Sequence, residues 1–250
     1  MRHISRYCAT VAIPASAIES ANIVGYMNID RTQAYEFAGS MFTTPSGTGF
    51  YYLNDVLVTG AKTGGADFIQ FLVPGTSRLS TDLSFYFDGT DWCFKYDSGD
   101  YDADDAIPDN YQIPNNIGFV TRFGVAGTKI QYAGAVQTGT NGTVDVERAQ
   151  PYQIVVNPLP YAVDLTDLTI TGAKTGGADF IQFFIPGTSR LSTELSYYYD
   201  GTDWCFKYDS GDYDADDVVP EATRMIQPGE GFMLRCGTAG AKVKFPAPQI

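Results

Sequence analysis

The densest set of chemically capable side chains in this 250-residue chain is the stretch DSGDYDADD, which occurs twice, at 97–105 and 209–217. Asp100, Asp102 and Asp104 alternate as the first half of an EF-hand loop does, but the rest of that loop is missing. Its sixth position is Asp105 where a glycine is needed. Its twelfth is Tyr111, or Thr223 in the second copy, where a bidentate Glu is needed. Two main readings stay open. One is a looser calcium site, with carboxylates converging from Asp97, Asp100, Asp102 and Asp104 and, in the second copy, from Asp209, Asp212, Asp214 and Asp216. A divalent ion would relieve the repulsion among them. The other is a solvated acidic turn, partly neutralised by Arg78 or Lys95. Contact with a neighbouring subunit is a third.

Other chemistry finds little support. His3 is the single histidine, which argues against His-based triads, zinc triads and histidine general bases. PGTSRLS reads as a Pro-Gly turn rather than a nucleophile elbow. GAKTGGAD lacks the order of a phosphate loop, and no helix follows it. Asp88, Asp91, Asp97 and Asp100 all fall on turns in a Tyr-rich setting, a poor match to a glycosidase pair. The expectation is a protein that is not an enzyme.

The elements around these loops are themselves written twice. Residues 59–105 and 171–217 are aligned over 47 positions, of which five differ, at 72, 73, 82, 85 and 87 and their partners. GFVTRFGVAGTKIQY (118–132) matches GFMLRCGTAGAKVKF (231–245), and R-x-Q-x-Y recurs at Arg31 to Tyr35 and Arg148 to Tyr152. The chain therefore divides into an N-terminal arm, 1–19, and two units, 20–134 and 135–250, with AVQTGTNGT as the linker.

Within the second unit the alternation in TVDVE, with Val144 and Val146 on one face, predicts a strand. YQIVV, LTIT, DFIQFFI, LSYYYD, DWCFKYD, GFMLRC and AKVKFP predict seven more. Asp200-Gly201 turns a hairpin that puts Trp204, Phe206 and Tyr208 on one face and Cys205 and Lys207 on the other. No stretch has a helical period. The fold class expected is all-β: two tandem β-sandwich or jelly-roll-like units from an internal duplication. About half of the aromatic residues should face the core. The rest would lie on an outer face, where exposed Tyr and Trp anchor protein interfaces or stack on glycans.

The chain also resembles β-rich repeat proteins of the Verrucomicrobia and Lentisphaerae type. The resemblance rests on Gly25-Tyr26-Met27-Asn28-Ile29, Asn157-Pro158-Leu159, the D-x-I-Q strands at Asp67 to Gln70 and Asp179 to Gln182, and Pro228-Gly229-Glu230-Gly231-Phe232. The first half departs at Ser40-Met41-Phe42 and at Pro114 to Phe119. It implies an exported or surface-associated protein and carries over no functional residue.

A net charge of −13 argues against nucleic acid and against anionic membrane surfaces. No apolar run is long enough for a transmembrane helix, so membrane insertion is not expected. The N-terminus has basic residues, a mildly apolar stretch and Ala15-Ser16-Ala17, but Cys, Thr and Pro interrupt it, so it imitates a signal peptide only loosely. Cys8, Cys93, Cys205 and Cys236 fit no metal spacing; two disulfides or four free thiols both remain open. The function expected is that of a self-assembling subunit of an extracellular or surface filament, layer or shell. A bivalent glycan-binding module and a viral or phage capsid protein, with its virion setting, are the alternatives.

Overall fold

The computed structural model describes residues 24–247 except 32, 44–48, 63–64, 96–105, 116, 125–126, 138, 140–141, 175 and 208–217. The arm 1–19 and Tyr208 lie outside the described residues. What is described is all-β.

The second half follows the alternation in its sequence. Strands β12 (Thr143–Glu147), β21 (Lys242–Pro246) and β15 (Thr169–Thr171) form a three-stranded antiparallel sheet in that spatial order. A five-stranded sheet runs β13 (Tyr152–Val156), β20 (Gly231–Arg235), β16 (Phe180–Phe184), β17 (Leu191–Tyr199) and β18 (Trp204–Phe206). One buried cluster draws on both sheets, with Val144, Val146 and Val243 from the first and Ile181, Trp204 and Phe232 from the second. Burying side chains of this size contributes about 1.5–3 kcal/mol each, which is what joins the two layers.

The first half has the same order in its five-stranded sheet: β2 (Tyr35–Ala38), β10 (Phe119–Arg122), β6 (Phe68–Leu72), β7 (Leu79–Phe87) and β8 (Trp92–Phe94). Facing it, β1 (Val24–Asp30) and β5 (Leu57–Thr59) pair with β11 (Lys129–Val136), which also pairs with the short β3 (Phe42–Thr43). Two further two-stranded pairs, β4 (Phe50–Tyr52) with β9 (Gln112–Pro114) and β14 (Val163–Asp164) with β19 (Met225–Ile226), are too short to have left a period in the sequence.

Strand β17 begins at Leu191, four residues before the sequence reading places it. Ser192, Thr193 and Glu194 mask the start. The register shifts between Gln182 and Phe184, and the Gln182 amide donates to Ser192 O (3.3 Å) and Ser196 Oγ (2.9 Å) to hold the irregular stretch. Gln70, Ser80 and Ser84 repeat this arrangement.

The outward faces of the two five-stranded sheets meet each other. Phe37, Leu72 and Val120 pack on Ile154, Val156 and Met233, and the rings of Phe37 and Phe184 stack at 3.9 Å. Gly118 makes the approach this close: a Cβ there would sit 2.6 Å from Cγ2 of both Ile154 and Val156. The contact is reciprocal. The Gly75 N–H donates to Gln150 Oε1 (2.8 Å) and the Gly187 N–H to Gln33 Oε1 (2.5 Å). Both glycines hold the left-handed third position of a Pro-Gly type II turn, with φ of 78° and 76°, which turns the amide outward.

Candidate functional site

Asp97, Asp100, Asp102, Asp104, Asp209, Asp212, Asp214 and Asp216 all lie outside the described residues. Among the described residues no group of three or more His, Cys, Asp or Glu side chains could hold a metal ion. The hairpin that leads to each acidic loop is described. Asp88 Oδ1 accepts from the N–H groups of Thr90 and Asp91 (2.7 and 2.8 Å), and Asp200 does the same for Thr202 and Asp203. These carboxylates shape the turn rather than face each other as an acid and a base.

Among the described residues, the aromatic side chains of the repeated block are buried or half-buried, on both faces of the sheet. Trp92 and Trp204 sit in the cores, each donating its indole N–H to a main-chain carbonyl, of Val56 (2.6 Å) and Leu168 (2.7 Å). On the opposite face Phe68, Tyr86 and Cys93 cluster, as do Phe180, Tyr198 and Cys205. Cations roof these clusters: Lys95 and Arg122 lie 4.7 and 5.1 Å from the Phe68 ring centre, Lys207 and Arg235 4.6 and 5.2 Å from that of Phe180. Trp92, Trp204, Phe68, Tyr86, Phe180 and Tyr198 therefore offer no open face for stacking on a sugar. The sequence pattern marks which face a side chain takes; it does not show that long cationic side chains will cover that face.

Cys93, Cys205 and Cys236 are buried thiols, and Cys8 lies outside the described residues. Cys236 Sγ donates to Asp179 Oδ2 (3.4 Å); burial first, and the adjacent carboxylate in addition, push this thiol above its ordinary pKa. It is therefore a poor nucleophile. Asp67 and Asp179, from the D-x-I-Q strands, are buried pins. Asp67 accepts from the N–H groups of Lys62 and Gly124 (both 2.7 Å), and Asp179 from those of Lys174 (2.7 Å) and Gly237 (2.8 Å). Asn157 is equally structural: its amide donates to Tyr161 O and Ile226 O while its oxygen accepts from the Leu159 N–H.

One cleft escapes the sequence reading because it is built from both halves. It is a cavity of about 580 Å³ between β1 and β2 on one side and β16, β17 and residues 224–231 on the other. Two ion pairs line it. Arg31 Nη1 bonds Glu36 Oε2 (2.6 Å), while Arg224 pairs with Glu230, whose other oxygen accepts from the Gln227 N–H (2.8 Å). The Arg224 guanidinium also lies 4.3 Å from the Phe183 ring centre. The paired charges and the mixed lining describe a binding cleft more than a centre for acid–base chemistry.

The chain matches no protein-family model, no curated protein and no solved structure. What the fold and cleft define is a class: an all-β protein with a cleft of mixed polar and apolar lining between its two halves.

Proposed function

We propose that the chain is a structural, self-assembling subunit of an extracellular or surface filament, layer or shell. The observation that carries this reading is the arrangement of edges. The halves meet through a reciprocal contact, which closes on itself and does not propagate. Among the described residues, the contact leaves β1 and β12, equivalent strands, each paired with one strand, β11 and β21. A molecule with two like edges, one from each half, can join two neighbours. Adding a strand to an open edge is a ready mode of joining.

Electron microscopy of the purified full chain tests this. Regular polymers or closed shells are expected; dispersed single molecules at high concentration sink the reading. Calcium has its own test. A solvated acidic turn predicts the same melting temperature with added calcium as with chelator. A calcium-dependent rise would instead mark a structural ion, because a ligand bound only by the folded state stabilises it.

A further inference from the structure

We propose that the cleft between the two halves binds a neutral saccharide unit; this does not rest on the assembly reading. The chain contains its own comparison. A second cavity, of about 160 Å³, lies at the equivalent place against the other half. Phe71, Leu72 and Pro74 line the smaller cavity where Phe183, Phe184 and Pro186 line the larger. Gln150 faces one and Gln33 the other.

The difference is chemical. Main-chain bonds set the equivalence: the Leu53 N–H donates to Tyr111 O (3.0 Å) and the Leu165 N–H to Arg224 O (2.9 Å). Arg224 thus stands where the first half has Tyr111. Glu230, just before Gly231, stands where it has Ile117, just before Gly118. At these two positions the smaller cavity has an aromatic and an aliphatic side chain, and the larger an ion pair. Replacing a partly buried ion pair with packed apolar residues is commonly neutral or stabilising, and the Tyr and Ile version fits the same frame in the first half. Stability alone therefore gives no reason for the Arg–Glu pair.

The pair does suit a polyhydroxylated ligand. Both Glu230 oxygens are fixed, by Arg224 and by the Gln227 N–H, so the carboxylate is preorganised. Each oxygen has a second lone pair for a hydroxyl donor. The Arg224 Nε–H has no hydrogen-bond partner and can donate to a hydroxyl oxygen once a ligand displaces the covering side chains. Arg31 and Glu36 on the opposite wall are also matched, and the exposed Asp30 pairs with Lys129 (3.5 Å), so each charge of the lining has an opposite charge beside it. A hydroxyl donates and accepts at once and leaves both pairs intact. Met27, Ile29 and Leu195 supply apolar wall for the C–H faces of a sugar ring. The volume falls in the roughly 300–1,000 Å³ range of small-molecule sites.

Titration of the full chain with glucose, galactose, mannose and N-acetylglucosamine, and with cellobiose, lactose and chitobiose, by calorimetry and ligand-observed NMR tests the proposal. At least one neutral sugar is expected to bind. Its affinity should fall at least tenfold in the double variant Arg224→Tyr with Glu230→Ile, which copies the lining of the smaller cavity. Leu195→Trp, which fills the cleft and leaves both ion pairs in place, should weaken binding similarly and carries the test if the double variant does not fold. Three results overturn the proposal: no sugar bound by the unmodified chain, equal binding by the folded variants, or binding confined to the charged probes glucuronate and glucosamine.

Discussion

Replacing Trp204 with alanine is expected to destabilise the chain by about 3–5 kcal/mol, the range for removing a buried indole from a packed core. Trp204 is 2% exposed and belongs to the cluster that joins the two sheets of the second half. Its ring also packs against Tyr199 at 5.6 Å. Its second contribution is specific. The carbonyl that accepts its N–H belongs to Leu168, whose own N–H donates to Leu165 O (3.1 Å) and closes the 3₁₀ turn Leu165–Asp167 just before β15. Trp204→Phe keeps most of the packing and leaves that carbonyl without its donor, which costs about 1–3 kcal/mol. Denaturant unfolding of both variants separates the contributions. Alanine should cost clearly more than phenylalanine. Equal losses would mean that the hydrogen bond, not the filled volume, holds the sheets together. A loss below about 1 kcal/mol for alanine would remove Trp204 from the core argument. Trp92, bonded to Val56 O, should behave alike.

What the sequence shows and what it hides divide along physical lines. Strands with one dry face, such as Val144 and Val146 in β12, are visible because alternation is local. The hairpin between β17 and β18 is visible because Asp200-Gly201 is a turn signal independent of its surroundings. The second dry face of β16, β17 and β18 is hidden, because the cations that cover the Phe180 ring, Lys207 and Arg235, come from other parts of the chain than β16. The contact between halves is hidden for the same reason, with one trace. R-x-Q-x-Y is shared faintly by the two halves, and its Gln33 and Gln150 make the reciprocal bonds to Gly187 and Gly75. The cleft leaves no trace of its own, because Arg31 and Glu36 come from one half and Arg224 and Glu230 from the other. The D-x-I-Q motif is legible as a strand, but the work of its first residue appears only when the loops it ties are close together.

That residue carries the other large expected effect. Asp179→Ala should cost about 3–5 kcal/mol, because it removes two charge-assisted hydrogen bonds worth about 1.5–3 kcal/mol each. Asp179 is 5% exposed, so water cannot readily replace the lost acceptor. The N–H groups left behind, of Lys174 and Gly237, belong to two loops that the Asp179 carboxylate ties together. Asp179→Asn keeps one acceptor and turns a donor toward the other N–H, so its cost should fall between those of the unmodified chain and alanine. The neighbouring thiol reports on mechanism. Cys236 is buried against the Asp179 carboxylate, and both raise its pKa. Releasing the loop and removing the charge each favour thiolate, so labelling by a disulfide reagent should quicken in Asp179→Ala under native conditions. Asp67→Ala makes the control: it breaks the matching pin, but Phe123 stands where Cys236 does, so stability should fall to a similar extent while Cys236 labelling stays slow. A stability loss under about 1 kcal/mol in both variants would show that the loops stay closed without their pins. Faster labelling of Cys236 in Asp67→Ala would show that the two halves loosen together rather than each about its own aspartate.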